Sequence, residues 1–121
     1  MTSLDDLTDV GGLRAELRRT TRAATAASDD RAIAWLLTAG HGTVLRIEAE
    51  LLRGDRELEL CLADGPLDAI PPLVRRRRAL LLARGVLRSE LRALTVRRRA
   101  LQLSRDAAGA GPLPGRRHPA S

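Results

Sequence analysis

The spacing of apolar positions along this 121-residue chain predicts helices. Val10, Leu13, Leu17, Thr20, Ala24 and Ala27 recur at intervals of three and four, with Arg14, Arg18, Arg19 and Arg22 outside the set. That is an amphipathic helix with a weak seam. Before it, Thr2-Ser3-Leu4-Asp5-Asp6 offers a hydroxyl cap and acids for a first turn, and Gly11-Gly12 is an expected interruption. Ser28-Asp29-Asp30 caps a second helix that carries Ile33, Trp35, Leu36 and Leu37. At Gly40-His41-Gly42 this helix either bends, with Gly40 allowing close approach of a neighbour, or ends.

Residues 43–63 read two ways. Leu45, Ile47, Ala49 and Leu51 alternate with charged residues, as do Leu58, Leu60 and Leu62. With a turn at Gly54-Asp55, that alternation describes a β-hairpin with one apolar face. Against it, residues 48–63 contain no β-branched or aromatic residue, and Leu, Glu, Arg and Ala are strong helix formers. The hairpin register would also set Glu50 against Glu59 and Arg53 against Arg56. The expected fold is therefore all-α, a small bundle of three to five helices, with α+β and a hairpin at about 44–63 as the alternative.

Asp64-Gly65-Pro66 is a turn, and Pro71-Pro72 suits a helix start. From there to about Arg105 the helical pattern is strongest. Leu73, Leu80, Leu87, Leu91, Leu94 and Leu101 follow a 3.5-residue repeat, but Arg77, Arg84 and Arg98 occupy intervening seam positions. An unbroken coiled-coil seam does not ordinarily carry three arginines, and Gly85 is a point where the segment could divide. Gly65-Pro-Leu-Asp-Ala-Ile70, followed by Leu73, Arg77, Leu80 and Leu81, resembles the helical-hairpin pattern of flagellar export chaperones. The pattern is common to helical hairpins generally, so the resemblance implies a hairpin and no family. Residues 107–121 hold Gly and Pro without periodicity, so the expected organisation is one helical domain, 1–106, and a flexible basic tail, 107–121.

Composition changes the picture through charge. All 21 basic residues are arginine, and Trp35 is the only aromatic ring available to a core otherwise made of Leu and Ala. The net charge of +6 is a remainder: residues 1–74 carry eight arginines against thirteen acids, and residues 75–121 thirteen arginines against Glu90 and Asp106. A single cysteine, Cys61, excludes an intrachain disulfide and suits a reducing compartment, where it is expected as a small buried hydrophobe. No uncharged run approaches the length of a membrane span, and no secretory signal is visible, so a cytoplasmic location is expected.

The candidate chemistry lies in the basic half. Arg75, Arg76, Arg77, Arg78, Arg84, Arg88, Arg92, Arg97, Arg98 and Arg99 suit carboxylates or phosphates, which arginine grips bidentately. Glu48, Glu50, Glu57 and Glu59 form an acidic complement, within the chain or across a dimer. No aromatic residue accompanies the arginines, which disfavours single-stranded nucleic acid. A degenerate helix-turn-helix over about 86–105, with its turn at Thr95-Val96 and Arg97 to Arg105 as the recognition helix, would make the chain a DNA-binding regulator. His41 is at most a weak ligand or base, since no second ligand stands at metal-site spacing, and no cofactor motif is present. The expectation is a non-enzymatic interaction module whose arginine-rich helices engage an acidic protein surface or a second copy of the chain. DNA binding is one alternative, and a small helical enzyme with an arginine-lined anion site another.

Overall fold

A computed structural model describes residues 6–110 and shows an all-α fold: three helices and no strand among the described residues. α1 spans Asp6–Ala23, α2 Asp30–Asp64 and α3 Ile70–Ala110, with a short 3-10 turn, Leu67–Ala69, before α3. α2 and α3 form a long antiparallel hairpin, and α1 packs chiefly on α3. α1 runs parallel to α3, with Arg18 beside Glu90 and the Ala24 carbonyl beside Arg97.

Local chemistry accounts for the ends. The Asp29 carboxylate accepts the Arg31 N–H at 3.0 Å and caps α2. Gly65 closes α2 with φ of 74°, a left-handed conformation that favours glycine, and donates its N–H to the Cys61 carbonyl at 2.7 Å. Pro71 and Pro72 stand in the first turn of α3, where missing N–H groups cost nothing.

Several expectations are corrected. The hairpin at 44–63 does not form, because α2 is continuous from Asp30 to Asp64. Gly11-Gly12, Gly40-His41-Gly42 and Gly85 interrupt nothing. α3 passes the expected tail boundary and reaches Ala110; the rest of the tail lies outside the described residues. Trp35 is not in the core: it is 71% exposed.

The core is aliphatic. Leu17, Leu87, Leu91 and Leu94 are almost wholly buried, together with Ile33, Leu36, Leu37, Val44, Ile47 and Leu51 from α2. Burial thins toward the hairpin tip, where Leu58 and Leu73 are half-buried and Leu60, Leu62 and Leu67 exposed. Gly40 sets the closest approach of α2 to α3. A Cβ there would collide with the Leu91 Cδ2 and lie 3.2 Å from its Cγ, whereas one at Gly54 meets nothing within 4 Å. Gly54→Ala should therefore stabilise by about 0.5–1 kcal/mol through helix propensity. Gly40→Val should instead destabilise by about 2–3 kcal/mol through overpacking against a buried leucine. Urea midpoints of the two variants check the opposite signs.

Candidate functional site

The arginines that the seam could not accommodate are each answered by an acid on α2. Arg77 Nε donates to Asp55 Oδ1 at 2.9 Å. Arg88 donates to Glu48, whose carboxylate also lies 3.9 Å from Arg84. Arg76 and Arg53 both pair with Glu50, which is 5% exposed. Arg98 grips Asp30 with two bonds, Nε to Oδ1 at 3.0 Å and Nη2 to Oδ2 at 2.9 Å, the planar fork that arginine provides. Much of the charge split along the chain is thus spent across the hairpin.

Two arginines hold the connection between α1 and α2. Arg97 donates to the Ala24 carbonyl at 2.6 Å. Arg105 donates to the carbonyls of Ala26 and Ser28 at 2.9 and 2.7 Å, and its Nη1 stands 3.6 Å from Asp30. Backbone oxygens left free by the loop are satisfied by long side chains from α3.

The Asp30–Arg98 pair carries a pH dependence. Its hydrogen bonds to Arg98 hold the Asp30 carboxyl below the usual carboxylate range, against partial desolvation, with the Arg98 and Arg105 charges adding to the effect. Reciprocally, the Asp30 bond raises Arg98. A depressed folded-state value stabilises the fold above the ordinary aspartate range, and the benefit disappears as pH falls through the depressed value. Asp30→Asn should lower the Tm at neutral pH, and the gap from the unaltered protein should narrow as pH falls through the depressed Asp30 value; thermal melts across an acid series check this.

The acidic complement is met in part within the chain. Glu48 and Glu50 meet the arginines, but Glu57 and Glu59 are exposed and make no ion pair among the described residues. Asp30 and Asp55 stand in their place. Folding the sequence back at Gly65-Pro66 brings Asp55 and Glu48 opposite Arg77 and Arg84, a signal already present in the spacing. The helix-turn-helix is corrected: α3 is unbroken through Thr95-Val96, so its turn is absent.

Of the ten candidate arginines, Arg75, Arg78, Arg92 and Arg99 remain exposed with neither an ion pair nor a hydrogen bond among the described residues, whereas Arg97, also exposed, bonds the Ala24 carbonyl. They lie on the side of α3 opposite its leucine seam, where Arg92 also borders α2 across a groove. Leu82, Val96 and Leu103 share that side and are 65%, 64% and 59% exposed. With Gly85 and Ser89 these residues run 75, 78, 82, 85, 89, 92, 96, 99 and 103, an unbroken alternation of threes and fours. In the sequence the stronger leucine repeat on the inner side masks this second seam of α3.

Beside it, a groove of about 550 Å³ between α2 and α3 has Val44 and Leu91 as its floor and Leu45, Val96, His41 and Arg92 among its walls. His41 is exposed there, and among the described residues no group of three or more His, Cys, Asp or Glu gathers in a metal-binding arrangement. Cys61 is buried on α2. No helix among the described residues is long and apolar enough to cross a membrane. Compared with known proteins, the chain matches no family model, no curated protein and no solved structure.

Proposed function

We propose that this chain is a non-enzymatic helical interaction module that docks an acidic, amphipathic protein surface on the outward side of α3. The observation that carries the reading is the outer seam itself, where Arg75, Arg78, Arg92 and Arg99 have no ion pair among the described residues and share the side with exposed Leu82, Val96 and Leu103. A partner helix with apolar residues at the same spacing and glutamates beside them would satisfy both properties at once. Arginine also loses less freedom per bond than lysine on meeting a carboxylate. The single cysteine suits a cytoplasmic setting for such a module.

The arrangement favours a protein over DNA as the partner. A DNA-binding face gains from uninterrupted phosphate contacts, and exposed leucines between the arginines add nothing to them. The helix-turn-helix that would have read base edges lacks its turn. An enzyme with an arginine-lined anion site has no such convergence to draw on, since the unpaired arginines are strung along a helix.

The test is a titration of the full chain with a synthetic helix bearing leucine at heptad core positions and glutamate at the flanks. Binding in the micromolar range, weakened by added salt, is the expected result. No binding, or tighter and steeply salt-dependent binding to duplex DNA, contradicts the proposal.

A further inference from the structure

α2 carries a second seam as well. Arg31, Trp35, Thr38, Gly42, Leu45, Ala49, Leu52, Arg56 and Glu59 alternate by four and three without a break, and every one of them is exposed. They lie opposite the side that Ile33, Leu37, Val44, Ile47 and Leu51 bury, and nothing among the described residues buries them. Trp35, Leu45 and Leu52 are 71%, 67% and 61% exposed. The strip is about 42 Å long at the rise of an α-helix.

The residues on this strip are arranged symmetrically about Leu45. If α2 of a second copy lies antiparallel across it, Leu45 meets Leu45 of the second copy on the two-fold axis. Thr38 then faces Leu52 of the second copy, and Gly42 faces Ala49 of the second copy, two small residues that allow the backbones to approach. Farther out, Trp35 faces Arg56 of the second copy, a cation–π pairing, and Arg31 faces Glu59 of the second copy, opposite charges. Each contact occurs twice, as a two-fold interface requires. Arg31, Arg56 and Glu59 have no ion pair among the described residues, so all three are available for it.

We infer that α2 is a homodimerisation surface and that its occupant is α2 of a second copy, antiparallel and centred on Leu45. The outer seam of α3 fails the same comparison. It contains arginines and no acid, and in the equivalent register Arg78 would face Arg99 of the second copy. One face thus fits itself and the other fits a foreign acidic surface. The inference goes beyond the reading of α3 and does not depend on it.

Sedimentation equilibrium of the full chain tests this. The unaltered protein should have twice the mass of the 13.1 kDa chain. Leu45→Glu should have the mass of one chain, with an unchanged helical circular dichroism spectrum, because position 45 is exposed and glutamate favours helix. Arg31→Glu should weaken the dimer about tenfold by placing like charges at both ends, and Arg31→Glu with Glu59→Arg should recover to within about threefold. A monomeric unaltered protein overturns the inference, leaving the strip to a different partner or to none. So does a dimer that survives Leu45→Glu, which would use another face, and so does a reversed pair that fails to recover.

Discussion

Leu94→Ala should cost about 3–5 kcal/mol of unfolding free energy, the largest effect of any single substitution considered for this chain. Leu94 is wholly buried, and its neighbours in the core are aliphatic side chains with no aromatic ring among them. Removing the side chain loses the transfer energy of its methyl groups and opens a cavity. Rigid antiparallel helices held at Gly40 by contact with Leu91 cannot collapse far to fill it. Small domains possess only about 5–15 kcal/mol in total, so the variant should be partly unfolded or melt far earlier. Leu103→Ala, on the exposed side of the same helix, should stay within about 0.5 kcal/mol, and urea denaturation of the pair measures the contrast.

Glu50→Ala should cost about 2–3 kcal/mol, as much as Gly40→Val. Glu50 is an acid at a core position, and its two partners differ in exposure: the Arg76 side chain is 26% exposed and that of Arg53 56%. Deleting the carboxylate leaves Arg76 poorly solvated, and its Nε already lacks a hydrogen-bond partner. Breaking a fully buried pair from one side costs about 3–5 kcal/mol, and the access of water to both arginines reduces that figure. Removing both partners should be far milder. Glu50→Leu with Arg76→Met replaces charge by matched apolar volume and should return to within about 1 kcal/mol of the unaltered protein. A double-mutant cycle in urea checks this, and a double variant as unstable as Glu50→Ala would show that the ion pair is not the source of the loss.

Much of the fold could be read from spacing. The leucine repeat from Leu80 to Leu101 is buried along one side of α3, the cap at Asp29 forms, and Gly40 is the point of close approach. The β-hairpin alternative arose from a real feature. On a helix, residues two apart lie about 200° around the axis, so an alternating apolar run can populate two opposite sides. Ile47 and Leu51 face α3, while Leu45 and Ala49 face outward. The alternation that resembled a strand is therefore the mark of a helix with two seams, and the same misreading hid the strip centred on Leu45. Trp35 failed as a core residue for the same reason, since it stands on the outer seam.

The candidate site was legible only as an excess of arginine. Its division into paired and unpaired groups depends on which way each residue faces in an antiparallel hairpin, which composition does not encode. Arg77, Arg84 and Arg98 looked anomalous in a coiled-coil seam, and the anomaly was informative: each requires an acid from the facing helix. Those acids explain why so basic a chain retains an acidic half. What remains on α3 is four arginines and three exposed apolar side chains, and these are the residues assigned to partner binding.

The most direct measurement compares two double variants against the acidic helix. Arg92→Glu with Arg99→Glu reverses charge on the outer seam, while Arg84→Gln with Arg88→Gln changes arginines already paired with Glu48. The first should weaken binding more than about tenfold, and the second should leave it within about threefold of the unaltered protein. Equal losses in both variants, or no loss in the first, would contradict the assignment of the outer seam of α3 as the docking surface.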